Sequence, residues 1–320
     1  MCNIWKKKKN YEVTLDEVNS IFSRLRPLDV VRITGGEPFL RNDLAEIVGI
    51  INKYAKSPIV HITTNGTLTE KILSFIRKVK NPRNIHIKIS IDALREEHNR
   101  VRGVNDSYAK AMLTLAELSG LKQKYGFYLG VNQTIVSPEC RDDYNGLQEI
   151  CNKYHVKLYP VLAYAHPPLY AADNYSAENQ EKCKTSVFGS FSHQQIIEMF
   201  NAFKKDISGW DNFAEKITAS YYLEKLHEYL SCRKNHTQPK CVALRSHLRI
   251  LPNGDVPVCL YNPAIVGNLL EELNFKKFWL KNKNIEKYRQ DIRRCSGCLA
   301  KCELIPNGIY TGDIIKNIFS

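Results

Sequence analysis

The chain has 320 residues, with 46 Lys and Arg against 33 Asp and Glu, a formal net charge of +13. No apolar run approaches the roughly 20 residues of a membrane span, and no apolar h-region follows the N-terminal lysines, so a cytoplasmic location is expected. The lysines are scattered along the chain without an Arg-rich arm or an RNA-binding signature, which argues against nucleic acid as the partner.

In chain order, Thr14 to Glu17 reads T-x-x-E, a capping box that opens an amphipathic helix to about Leu28. "DVVRITGG" is a short β-branched run ending on paired glycines. "NDLAEIVGIINKYAKS" is helical, with Asn42 as N-cap. The strands "IVHITTNG", "NIHIKISIDA", "FYLGVNQTIV" and "KLYPVLAY" then alternate with helices "TEKILSFIRKVKN", "SYAKAMLTLAELSGLKQKYG" and "DDYNGLQEICNKYHV". Regular β-α alternation over about residues 14–164 implies a parallel sheet with right-handed crossovers, its chemistry at the strand C-termini. Residues 165–240 are irregular and then mostly helical. "HLRILPNGDVPVCL" reads as a hairpin turning at Asn253-Gly254.

Ten cysteines occur, at 2, 140, 151, 183, 232, 241, 259, 295, 298 and 302. Without a secretion signal, metal or redox use is a better reading than a disulfide framework. A hairpin that brings Cys259 to its end, together with Cys241 and the C-x2-C of Cys295 and Cys298, can converge four thiolates on one point. That donor set suits an Fe–S cluster or structural zinc, and the spacing does not choose between them. Cys302 could replace Cys298 or stay free. Lys301, Arg293 and Arg294 would offset the thiolate charge. Cys151, on an apolar helix face, reads as core.

Taken in order, "TGGEP" (34–38), "TTNG" (63–66), "SID" (90–92), "RVRG" (100–103) and Asn132 resemble the radical S-adenosylmethionine (SAM) enzymes. The tail, with Gly267-Asn268-Leu269 ahead of its C-x2-C, resembles their twitch/SPASM extension. The resemblance covers nearly the whole chain and is weakest over 165–240. It implies an α/β fold: a partial (β/α)6-type barrel of parallel strands over 1–164 that lacks its first strand. A mostly helical connection would follow over 165–240, then a small α+β cluster domain over 241–320.

The resemblance also assigns residues. Gly35, Gly36 and Glu37 would meet the SAM ammonium, Ser90 other SAM polar atoms, and Arg102 the SAM carboxylate. Asp92 lies on the Ser90 face. Asn65 and Asn132 would contact ribose or carboxylate. Cys241, Cys259, Cys295 and Cys298, with Cys302 as the alternative to Cys298, would supply the ligands of an auxiliary [4Fe–4S] cluster. "MCNIW" resembles the stretch that starts at the third cysteine of the family's C-x3-C-x2-C loop. Its two partners would lie ahead of Met1, so the expectation is an N-terminally truncated chain whose Cys2 cannot alone hold the radical SAM [4Fe–4S] cluster. In the full-length form the implied chemistry is reductive SAM cleavage and hydrogen-atom abstraction. The substrate would be a peptide or small molecule and the electron donor a flavodoxin or ferredoxin. The net charge would suit an acidic leader peptide or a phosphorylated substrate. The alternatives are a catalytically dead SAM-pocket protein or a zinc-stapled interaction protein.

Overall fold

The computed structural model describes residues 11–25, 27–56, 58–163, 169, 191–231, 238–295 and 297–316. Cys2, His166, Cys183 and Cys232 lie outside them. The chain divides into two compact units, 1–163 and 164–320.

The first unit is a five-stranded sheet in the order β1 (Val30–Ile33), β2 (Ile59–Thr64), β3 (Ile85–Ser90), β4 (Tyr128–Ile135) and β5 (Lys157–Leu162). Every neighbouring pair is parallel. The connecting helices are α1 (Leu15–Arg24), α2 (Leu44–Tyr54), α3 (Thr69–Lys78), α4 (Arg95–Arg102), α5 (Ser107–Tyr125), α6 (Pro138–Asp142) and α7 (Tyr144–Lys153).

Local chemistry sets these boundaries. The Thr14–Glu17 capping box forms in full. The α2 N-cap is Asp43 rather than Asn42, and Asp43 is held by Arg41 at 2.7 Å. Gly103 and Gly126 close α4 and α5 in the left-handed conformation that favours glycine. Gly66 is required twice over. Its φ is +74°, and an added Cβ would lie 2.8 Å from the Ile89 side chain.

Alternation splits the sheet into two unlike faces. Val60, Ile62, Ile85, Ile87, Ile89, Leu129, Val131 and Leu158 share one face and are almost completely buried. The buried helix residues include Val48 and Ile51 of α2, Ile72 and Ile76 of α3, Leu115 and Leu118 of α5, and Leu147 of α7. Helices therefore cover this apolar face. Cys151 is buried among them, and burial pushes its thiol up to about 12, which suits an inert core position. The other face carries Arg32, His61, Thr63, His86, Lys88, Ser90, Tyr128, Asn132 and Tyr159.

The second unit contains α8 (His193–Ser208), α9 (Phe213–Ser231), β6 (Asp255–Pro257), β7 (Ile265–Asn268), α10 (Phe275–Lys281), α11 (Lys283–Arg293), α12 (Lys301–Thr311) and α13 (Asp313–Lys316). Tyr221 and Tyr222 of α9 are buried. Gly308 of α12 lies so close to the Tyr221 ring that a Cβ there would collide with it. Phe213, at the start of α9, is 71% exposed.

The expected hairpin is re-paired. The Asn253-Gly254 turn is present, with Gly254 at φ +85°. Residues 247–251 form no strand, and β6 pairs antiparallel with β7 instead. Asn268 explains the choice: its side-chain amide donates to Asn253 O at 3.0 Å and to Asp255 Oδ1 at 2.9 Å, tying the turn to the second strand.

Candidate functional site

The C-terminal ends of β1 to β4 gather the polar motifs. Gly35 has φ +145°, a conformation L side chains rarely adopt, and a Cβ added at Gly35 or Gly36 would meet nothing within 4 Å. The glycine pair thus leaves its backbone open to a ligand. Glu37 follows. Its carboxylate accepts from Thr64 Oγ1 at 2.8 Å, Asn65 N at 2.8 Å and Phe39 N at 3.2 Å. Burial raises its pKa, opposed by those bonds and by the nearby Arg102 charge.

Asp92 is fully buried and faces Arg102 at 2.7 Å between Oδ2 and Nε. This is a close charge contact without the alignment of a hydrogen bond. Its other oxygen accepts from Thr134 N at 2.9 Å, which ties β3 to β4. The Asp92 N–H donates to His98 Nδ1 at 3.1 Å. On the Ser90 face, Asp92 thus has one oxygen bonded to Thr134 N and the other beside the Arg102 charge without a hydrogen bond. Asn65 is partly committed as well, since its Oδ1 accepts from Thr67 N at 2.8 Å and Thr67 Oγ1 at 2.7 Å. Ser90 and Asn132 are direct neighbours across β3 and β4. Neither side chain has a partner among the described residues. Thr64, His98 and Thr134 were not singled out from the sequence. Only Thr64 carried a signal, by lying inside "TTNG".

Two histidines in this unit are held neutral. Burial, with Lys88, His86 and Arg32 nearby, lowers His61 from 6.5 to about 2. Burial lowers His98 to about 4, with Asp92 opposing and Arg102 assisting. The unfolded chain takes up these protons first, so stability falls as pH drops below about 6.5. Between pH 6.5 and 4.5, above most carboxylate titration, each histidine costs up to ~1.4 kcal/mol per pH unit. Urea midpoints measured across that window should fall, and His61→Gln should flatten the slope.

In the second unit, Cys241 and Cys259 are half-buried. Burial pushes their thiols up to about 12 and about 11, with Glu303 and Cys295 adding negative potential at both. Metal binding there must displace the thiol protons. The Cys241 segment is pinned by Asn307 Oδ1, which accepts from Val242 N at 2.9 Å, and by Arg289 Nε, which donates to Leu244 O at 2.7 Å. Cys298 and Cys302 pack against Leu169, Leu260 and Ala300.

A cation beside the thiols that the sequence did not single out is Arg249. Arg249 Nη2 lies 3.8 Å from Cys302 Sγ and 2.7 Å from Glu303 Oε1. Lys301 lies over the Tyr222 ring and Arg293 faces Glu286. Glu303, only 2% exposed on its side chain, also meets His247 at 2.9 Å. Although burial alone would raise it, these partners draw its carboxyl down to about 2.

Among the described residues no three His, Cys, Asp or Glu side chains stand close enough to hold a metal ion. Cys241, Cys259 and Cys295 are within electrostatic reach of one another. The donor set fits a thiolate-bound cluster, and binding has to draw the thiols together. At the strand ends the open glycine backbone, the buried Glu37 carboxylate and the unpartnered Ser90 and Asn132 fit a zwitterionic polar ligand.

Residues 1–139 match the Radical SAM superfamily, and residues 241–303 match the iron–sulfur cluster-binding SPASM domain. The chain carries a radical SAM domain followed by a SPASM domain. The two domain matches imply SAM and [4Fe–4S] clusters as the cofactors. It is 31% identical over 134 residues to "Probable GTP 3',8-cyclase" of Methanococcus aeolicus, covering 41% of this chain and 42% of that protein. It is 25% identical over 264 residues to GTP 3',8-cyclase of Aliarcobacter butzleri, covering 79% and 73%. It is 28% identical over 113 residues to Fe-coproporphyrin III synthase of Methanosarcina barkeri, covering 35% and 26%. The first and third of these matches thus span less than half of the relative's length. In fold it is similar to a solved structure described as "Native anSMEcpe with bound AdoMet", with TM-score 0.52 and 16% identity, covering 85% of this chain and 72% of that one. No helix among the described residues is long and apolar enough to cross a membrane.

Proposed function

We propose that this radical SAM–SPASM protein acts in the cytoplasm as an oxidoreductase or maturase on a small molecule or peptide, with a flavodoxin or ferredoxin as electron donor. The observation that carries the reading is the Glu37 carboxylate, fixed by three donors beside the open Gly35-Gly36 backbone. Glu37 offers a buried negative charge to the SAM ammonium. Arg102, positioned by Asp92, offers the SAM carboxylate a charge-assisted bond. Ser90 and Asn132 supply the remaining polar contacts. When SAM and its cluster are both bound, they supply a carbon-centred radical that removes a hydrogen atom from the substrate. Cys241, Cys259, Cys295 and either Cys298 or Cys302 hold the auxiliary cluster, where Arg249 offsets thiolate charge.

Cys2 is the single cysteine ahead of Cys140 in these 320 residues. One thiolate does not hold a cluster built for three. The proposal is therefore that a polypeptide of these 320 residues takes up iron at the auxiliary cluster and does not cleave SAM by itself. Anaerobic reconstitution with iron and sulfide tests this. The expected content is about four irons per chain, that of one [4Fe–4S] cluster. One zinc with no iron would overturn the cluster reading. Twice the expected iron would overturn the claim about Cys2.

A further inference from the structure

None of the five strands contains an Asp or Glu, and their five basic residues share one face. The register places Arg32 beside His61 and His61 beside His86. It places Lys88 beside Gly130 and Gly130 beside Lys157. These are two adjacent rows on the sheet face opposite the helix-packed one. His61 meets His86 edge-on with ring centroids 4.8 Å apart, and His86 stacks on Tyr128, also at 4.8 Å. The Tyr128 and Tyr159 hydroxyls are hydrogen-bonded to each other, and Lys88 Nζ lies 3.4 Å from the Tyr159 ring centroid. Gly130 lets the two rings converge, since a Cβ there would lie 3.0 Å from the Tyr159 ring and 3.4 Å from that of Tyr128.

The face is a built surface, with side chains ordered against one another. His61, His86, Lys88 and Lys157 are half-buried. Half-burial strengthens charge interactions and makes crowded like charges costly. Burial first, and then the charges of Lys88, His86 and Arg32, disfavour a proton on His61.

We infer that this basic face binds a phosphoryl or pyrophosphoryl group of the substrate. The inference rests on the SAM reading above, because the rows lie on the same sheet face as Ser90 and Asn132. Lys88 is two residues and His86 four residues below Ser90. At about 3.3 Å per residue these are depths of about 7 and 13 Å. A phosphorylated substrate anchored by its phosphate at that depth would present its far end to the strand C-termini. Several cations gathered on one sheet face exceed what a single carboxylate ligand needs. They match a phosphoryl dianion or pyrophosphate, with the remaining O–H of the Tyr128–Tyr159 pair and the His61 imidazole as further donors.

The probe is inorganic pyrophosphate, titrated calorimetrically into the full chain at low salt, with acetate as comparison. Pyrophosphate should bind and acetate should not. Lys88→Gln should weaken pyrophosphate at least about tenfold, the loss of one charge-assisted contact, and Lys88→Arg should restore most of it. A Lys276→Gln/Lys277→Gln variant, on an exposed helix face, should bind as the unchanged protein does. Equal binding of acetate, an unaffected Lys88→Gln, or a loss of binding in the Lys276/Lys277 variant would each overturn the inference. SAM binding measured on the same samples separates the two claims. Absent pyrophosphate binding with SAM bound overturns the phosphate face alone. Pyrophosphate bound with no SAM binding overturns the reading beneath it, and with it the assignment of the anion to a substrate.

Discussion

Asp92→Ala should destabilise the protein by about 3–5 kcal/mol, the usual cost of removing one partner of a buried ion pair. The side chain is fully buried and does two jobs. One oxygen faces Arg102 at 2.7 Å and the other accepts from Thr134 N at 2.9 Å. Alanine would leave a guanidinium whose side chain is only 20% exposed without its counter-charge. It would also strand a backbone N–H between β3 and β4. Because stabilities of whole domains lie at about 5–15 kcal/mol, much of the margin would go. Asp92→Asn should lose less, since it keeps an acceptor for Thr134. Urea unfolding reads both variants. A midpoint change corresponding to less than ~1 kcal/mol for Asp92→Ala would mean the pair is solvated and Arg102 is positioned by something else.

The same carboxylate shows what the sequence could and could not reveal. Alternation of β-branched runs with capped amphipathic stretches made β1 to β5 legible, because helix and strand periods differ and each buries its own apolar set. "TGGEP", "TTNG" and "SID" could be placed at strand ends for the same reason. The division of labour among their side chains could not. That Asp92 serves Arg102 depends on α4 turning back over β3, and that Glu37 is braced by Thr64 depends on the neighbouring strand. In the tail the Asn253-Gly254 turn was legible from its own residues. Its partner strand was not, because Asn268 decides the pairing from across the turn. Glu303 was missed for a related reason. It meets Arg249 and His247 across more than fifty positions, and nothing local marks a carboxylate in an apolar helix as paired. The basic face lies between these cases. Arg32, His61, His86, Lys88 and Lys157 are plain in the sequence, but only the register aligns them in rows.

Saturation-transfer NMR with SAM and the full chain, with and without Glu37→Gln, tests the central claim most directly. In the proposed reading Glu37 is the carboxylate that meets the SAM ammonium. A charge-assisted bond of about 1.5–3 kcal/mol corresponds to roughly a tenfold to hundredfold change in affinity. Glutamine keeps the size and a carbonyl acceptor while removing the charge, and an unchanged melting temperature would show that the Thr64, Asn65 and Phe39 contacts still hold the loop. The account predicts SAM methyl signals in the unchanged protein that excess S-adenosylhomocysteine removes, and their loss in Glu37→Gln at the same SAM concentration. Signals of equal strength in both proteins would contradict it.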